Sequence, residues 1–385
     1  MNSIDGGPKV FLDCGNYFGD NINLGDEAVL RGIADGFDKH LPNAEIQIVT
    51  FAGDVIQRVC PHFTPKLLTQ RDDRYSDDFR NLIAETDIVG VVFAGAFSDF
   101  FAEHALGLLY TLELATALGK PAIVLSAGFE RVADPRLVAR AKEVLPKVTW
   151  IGCREGAEGP SLLREWGVPE SRILIMGDAA LPEAHRNFRP EMGNNIGLSL
   201  RLSQYSGLDE NFLPQLESPL LQLAEAYKAK LVPIPISLEG PSDLAAMERF
   251  CGSPLESFDA YSPTSLAAAI SSCRVVVTGT YHAAVFALGQ GIPVVTLAES
   301  LHYRTKMGGL QAMFPEGCRM LEPNGDIGVR LIREVDKLWT DAPTLRHQTL
   351  NRVREQIDSQ ERSWIRMVKS ISQLVRPKMT LNMSA

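Results

Sequence analysis

The sequence has no paired-cysteine motif. Its six cysteines, Cys14, Cys60, Cys153, Cys251, Cys273 and Cys318, stand singly. None belongs to a CxxC or a Cys/His cluster, which argues against a zinc ribbon and a disulfide framework. Scattered single thiols fit a reducing compartment. Cys153 is expected to be a small buried thiol. Long apolar runs are missing too. None approaches the roughly 18 residues a membrane-spanning helix needs. The first stretch, MNSIDGGPKVFLDCG, lacks the basic start and apolar core of a signal peptide. A cytoplasmic protein, not integral to a membrane, is expected. Basic residues are outnumbered, 38 Lys and Arg against 47 Asp and Glu, for a net charge of −9. With no basic run, nucleic acid is not expected as a partner. A small anion held in a local basic pocket stays open. Several catalytic signatures are also missing: GxGxxG, the Walker lysine and the GxSxG elbow. His62, His104 and His185 have no metal-like neighbours in sequence, so neither a metal nor a cofactor is expected.

What is present points to two domains. The chain has 385 residues, 45% hydrophobic and 22% charged, enough apolar material for two cores. Strand-like runs alternate with helix-like ones: KVFLDCG, EIQIVTF, DIVGVVFAG, PAIVLSAG, KVTWIGCRE and RILIMGD. The rhythm predicts a parallel sheet with helices on both faces. A polar interruption with two prolines, Ala179 to Asn195, reads as an interdomain linker. The rhythm then restarts with IGLSLR, KLVPIPIS, RVVVTG and PVVTLA. SPTSLAAAISSC reads as a helix capped by Ser or Thr. The fold class expected is α/β, with two Rossmann-like domains facing across a cleft. Their bounds are 1–185 and 186–345, followed by a C-terminal helix and tail over 346–385. In that last helix Leu350, Val353, Ile357, Trp364, Met367, Val368 and Ile371 share one face, which predicts packing on the body.

In open α/β sheets ligands bind outside the carboxyl ends of the strands. The polar residues just after each expected strand are therefore the candidates. Arg154 follows VTWIGC, Arg201 ends IGLSLR, and His282 follows VVVTG. His302, Tyr303, Arg304 and Lys306 follow VVTLA on what reads as a loop. Asn16, Asp20, Asn23, Asp26 and Glu27 follow VFLDCG. Cations converging on a helix start suit a doubly anionic ligand, a phosphate plus a carboxylate. Thr280 is placed to cap the helix that carries His282. The helix dipole there opposes an imidazolium and a nearby anion favours it, a balance suited to proton exchange. The bland alternative is a histidine that only packs. Arg154 could likewise only bridge to Glu155 or Glu158. The loop GNYFGDNINLGDEAVL is acidic and amide-rich, which suits hydroxyl groups of a sugar. Its alternative is a loop in which Asp26 caps the next helix.

As a set these residues resemble the polysaccharide pyruvyl transferase family. The resemblance rests on GNYFGDNINLGDEAVL, WIGCREGAEGPSLLREWGV, RILIMGDAAL, IGLSLR and AISSCRVVVTGTYHAAVFALGQGIPVV followed by YRTKMGGL. That family is similar in fold to GT-B glycosyltransferases. The resemblance implies a transferase of polysaccharide biosynthesis, serving exopolysaccharide or the cell envelope. It would move a pyruvyl group from phosphoenolpyruvate to hydroxyls of a sugar or a lipid-linked glycan, forming a ketal. It implies that His282 and Arg154 are catalytic and that Arg154, Arg201 and Lys306 hold the donor, with Thr280 and Tyr281 beside them. Many members carry Arg-x-His where this chain has Thr280-Tyr281-His282, and Arg304 is the candidate replacement. Ala94-Gly95-Ala96 stands where a glycine triplet is often seen, and Phe129-Glu130 where Gly-Pro is usual. Two alternatives remain in the same fold: a nucleotide-sugar glycosyltransferase, and a binding protein without turnover. The acceptor and the oligomeric state, homo-oligomer included, stay open.

Overall fold

The computed structural model describes residues 7–14, 23–238, 241–252, 255 and 262–381. The strands are β1 (Lys9–Asp13), β2 (Glu45–Thr50), β3 (Thr64–Leu67), β4 (Ile88–Val92), β5 (Ala122–Ala127), β6 (Trp150–Cys153), β7 (Ile173–Ile175), β8 (Asn195–Ser199), β9 (Leu231–Pro233), β10 (Cys273–Thr278), β11 (Val294–Leu297) and β12 (Cys318–Leu321). The helices are α1 (Leu24–His40), α2 (Gly53–Val59), α3 (Asp77–Ala84), α4 (Ala102–Ala117), α5 (Pro135–Val144), α6 (Glu158–Glu165), α7 (Leu181–Arg186), α8 (Leu213–Tyr227), α9 (Pro241–Cys251), α10 (Pro263–Ser271), α11 (Tyr281–Gly289), α12 (Leu301–Met313) and α13 (Ile327–Leu381).

The chain forms two compact units. The first takes residues 1–20, 29–179 and 358–385, and the second takes 21–28 and 180–357. The first holds a seven-stranded parallel sheet in the order β3-β2-β1-β4-β5-β6-β7, and the second a five-stranded parallel sheet in the order β12-β11-β10-β8-β9. Strands β4 and β5 are buried at every position, as expected where helices cover both faces. Their apolar residues join Phe11, Leu108, Leu112 and Ile151 in the core of the first unit. Ile196, Leu198, Val275, Val277 and Val295 centre the core of the second. In each sheet the order reverses at one place, between β1 and β4 and between β8 and β10. The helices leave in opposite directions there, so a crevice opens at the carboxyl ends.

The structure corrects the sequence reading in two places. The stretch read as a linker contains α7, whose Leu181 and Ala184 are buried. It packs on α11, and His185 Nδ1 lies 3.0 Å from the Gly289 carbonyl. Six residues are too few to show a helical period, which is why the pattern was silent. The C-terminal helix is a single element that starts at Ile327 rather than near 346. Pro343 inside it has no N–H to offer the carbonyl one turn earlier. That carbonyl, Trp339 O, accepts instead from Arg274 Nε at 2.9 Å. In its last part the expected face is buried at Trp364, Met367 and Ile371, and Trp364 meets Phe37 edge-on at 5.1 Å. Cys14, Cys60, Cys153, Cys273 and Cys318 are buried.

Candidate functional site

In the second unit the site grows from the order reversal between β8 and β10. Ser199 ends β8 and Thr278 ends β10, and Gly279 N donates to the Ser199 carbonyl at 2.7 Å. Three buried hydroxyls then close on one another: Thr280 Oγ1 lies 2.8 Å from Ser199 Oγ and 3.0 Å from Thr278 Oγ1. Thr280 occupies the N-cap position of α11, but its side chain makes no cap hydrogen bond. The expected cap is therefore corrected: the hydroxyl is spent on Ser199 and Thr278. By contrast α3, α10 and α12 begin on Ser76, Ser262 and Ser300, each accepting from a backbone N–H of its helix. An uncapped start at a strand end is a place where backbone N–H groups and the helix dipole favour an anion.

His282 sits on the first turn of α11, 7% exposed. Its Nδ1 lies 3.9 Å from Asp26 Oδ1. Asp26 is on the first turn of α1, and it is not the cap. Asn23 Oδ1 fills that role, accepting from Gly25 N at 3.0 Å and Asp26 N at 3.3 Å. The helix start is tied down by Leu24 N, which donates to the Ile236 carbonyl at 2.9 Å. Glu27 beside it is 1% exposed. Asn16 and Asp20 lie outside the described residues.

The cations of this unit have defined neighbours. Arg201 Nη1 donates to Asp243 Oδ2 at 2.8 Å, and its Nε donates to the Tyr205 hydroxyl. Asp243 also accepts from Leu202 N at 2.6 Å. Burial works against the Arg201 charge, but Tyr205 and Asp243 more than offset it, so the guanidinium is held above its ordinary range. Lys306 and Arg304 are on α12, not on a loop, because Ser300 starts that helix immediately after β11. The Lys306 ammonium lies 5.5 Å from the centre of the Tyr281 ring and 5.3 Å from that of Tyr303, within cation–π range of both. Burial pushes the Tyr303 hydroxyl well up, and Tyr205, Asp243 and Asp26 add to the shift while Arg201 opposes it. Arg304 is directed to Glu322, at 3.5 Å. His302 is 3% exposed, 6.4 Å from the Tyr205 ring.

Arg154 belongs to the first unit. It follows β6 as expected, yet at 1% exposure it is no surface arginine. Its Nε donates to Glu155 Oε1 at 2.7 Å, and its Nη1 lies 3.7 Å from Asp178 Oδ2. A Cβ at Gly128 would stand 2.7 Å from Arg154 Nη2, so a side chain there would have to displace the guanidinium. Ala94, just after β4, and Ser126, within β5, have φ of 45° and 50°. Both are in the left-handed region, which costs a non-glycine residue about 1 kcal/mol or more.

The sequence reading missed three groups. Asp13, at the end of β1, is fully buried and accepts from Arg74 Nε at 3.0 Å, Arg74 Nη2 at 2.8 Å and Thr111 Oγ1 at 2.6 Å. Asp243 and Tyr205 hold Arg201. Asp13 was legible as a polar residue ending an apolar strand; its partners were not. Among the described residues no cluster of His, Cys, Asp and Glu could hold a metal. No helix among them is long and apolar enough to cross a membrane.

A family model described as polysaccharide pyruvyl transferase matches residues 23–300. The chain belongs to the polysaccharide pyruvyl transferase family. No curated protein matches it. Among solved structures it is similar to a UDP-GlcNAc 2-epimerase from Neisseria meningitidis bound to UDP-GlcNAc, with a TM-score of 0.60 at 12% identity over 94% of this chain and 100% of that one. It is similar to the calicheamicin glycosyltransferase CalG4, TM-score 0.52 at 12% identity over 96% and 97% of the two chains. It is also similar to UGT89C1 of Arabidopsis thaliana complexed with UDP, TM-score 0.60 at 10% identity over 94% and 99%. At such identities the likeness is one of fold: this pyruvyl transferase family member has the fold of GT-B glycosyltransferases and epimerases.

Proposed function

We propose that the protein transfers a pyruvyl group from phosphoenolpyruvate to two hydroxyls of a sugar or glycan precursor, forming a ketal. The observation that carries this reading is the uncapped start of α11, with His282 on its first turn, at the order reversal of the second sheet. A phosphate suits that helix start. A carboxylate suits a point charge such as Lys306, held over two tyrosine rings. Arg201 is a fixed cation at the end of β8. Thr280 supports the backbone through its hydroxyl contacts and brings no charge, which leaves the anion to the backbone, Lys306 and Arg201.

In the chemistry we propose, His282 gives a proton to the methylene carbon of the donor. A sugar hydroxyl adds to the cation-like carbon, the bond to phosphate breaks, and a second hydroxyl closes the ketal. Of the two hydroxyl protons, one replaces that given to the methylene and the other leaves on phosphate. Cations and N–H groups around the phosphate stabilise its departure. The acidic start of α1 is the proposed neighbour of the acceptor. The family resemblance gives Arg154 a part as well; in this reading it is a fixed cation of the first unit, to be tested by its own Arg154→Ala variant.

The test is a thermal-shift titration with phosphoenolpyruvate and UDP, on wild type and Lys306→Met. A ligand of the folded state raises the melting temperature, and about 2.7 kcal/mol is gained at a hundredfold excess over Kd. Phosphoenolpyruvate should stabilise the wild type by several degrees and Lys306→Met distinctly less. Stabilisation by UDP alone would overturn the reading in favour of a nucleotide-sugar donor.

A further inference from the structure

We infer that Asp26 is a positioning residue for His282: its carboxylate holds the imidazole in place and favours the protonated ring. This rests on the reading of His282 as the proton donor. It differs from the sequence reading, which placed Asp26 among hydroxyl-binding groups of an acidic loop or at the cap of the next helix.

Three observations carry it. First, the two side chains face each other, with Nδ1 3.9 Å from Oδ1, and both are nearly buried, at 7% and 9% exposure. Water screens such a pair little. Second, the ring is seated on Gly25. A Cβ there would stand 2.0 Å from His282 Nδ1 and 2.2 Å from its Cγ. Only glycine lets the imidazole lie against the α1 backbone, and so within reach of the next residue's carboxylate. Asn23 and Ile236 fix that backbone through the hydrogen bonds given above. Third, the imidazole stands at two helix starts at once, that of α11, which carries it, and that of α1, on which it rests. Each start presents roughly half a positive charge. Both work against an imidazolium, and a proton donor needs one. Asp26 supplies the opposite charge on the Nδ1 side.

Other ionisable groups belong to the same surroundings. Glu27 follows Asp26 on α1. Tyr281 precedes His282 on α11, its ring 5.5 Å away. On α12, Tyr303 interacts with Asp26 and Lys306 lies over Tyr281. Among the described residues, Asp26 is the carboxylate in direct approach to the ring, at 3.9 Å.

The experiment is an NMR titration of histidine-labelled protein without ligand, His282 being assigned by difference against His282→Gln. In Asp26→Asn, which keeps shape and removes charge, the His282 titration midpoint should fall by about one pH unit, a tenfold change in the protonated fraction. Asp26→Glu, which keeps the charge, should stay close to wild type and serves if the amide variant folds poorly. An unchanged midpoint in Asp26→Asn, or equal falls in both variants, would overturn the proposal. Adding phosphoenolpyruvate should raise the midpoint in wild type and in Asp26→Asn alike. No rise in either would count against the donor reading and leave the Asp26 result standing.

Discussion

The two sheets solve the same problem differently where their strand order reverses. In the first unit β1 ends in a carboxylate, and the protein answers it completely. Asp13 has no exposed surface, and Arg74 and Thr111 supply three hydrogen bonds to it. In the second unit β8 and β10 end in hydroxyls that bond to one another, and the helix that follows starts without a side-chain cap. One strand end consumes its polar groups internally. The other spends its hydroxyls on backbone geometry and presents a helix start beside a histidine. A buried ion pair fixes structure; the uncapped helix start is the place proposed for the anion.

The largest expected effect breaks the first of these. Asp13→Ala would leave the Arg74 guanidinium, 4% exposed, without its partner. Losing one member of a buried pair costs about 3–5 kcal/mol. Urea denaturation should show that loss, while the affinity for phosphoenolpyruvate, read by titration on the folded protein, stays within about twofold. A loss below 1 kcal/mol would mean that Asp13 and Arg74 are not the closed pair described.

A smaller effect concerns acid stability of the same region. Burial pushes His104 from 6.5 down to about 4, with Arg74 adding a little and Asp13 opposing. The unfolded chain takes up a proton near the ordinary value and the folded chain refuses it until the lower one. Stability is therefore unaffected above the ordinary value and falls as pH drops through the window between them. The slope contributed is at most about 1.4 kcal/mol per pH unit. Urea midpoints of wild type and His104→Gln, compared between pH 7 and 5, should converge as pH falls. Parallel curves would contradict this.

How much of this was legible follows from what sequence can encode. Strand ends were: apolar runs stop where polar residues begin, so Arg154, Arg201 and His282 were found by that rule. The helix cap at Ser262 was legible because capping is local. Partners were not. Asp13 and Arg74 lie 61 residues apart and Arg201 and Asp243 lie 42 apart, and no spacing rule reaches that far. The Thr280 cap failed for a related reason. A local rule assigned its hydroxyl to the helix, while Ser199, 81 residues away, took it. Asp26 was singled out as a polar loop residue, but its approach to His282 needs the glycine before it and a fold that brings α1 onto α11.

The most direct test of the central claim is isothermal titration of phosphoenolpyruvate into wild type and Thr280→Asp. Aspartate is a strong N-cap, so the variant would occupy the start of α11 with a carboxylate of its own and repel phosphate. Binding to wild type, weakened more than tenfold in the folded variant, is the predicted result. Equal affinity in the two proteins would place the donor elsewhere and contradict the account.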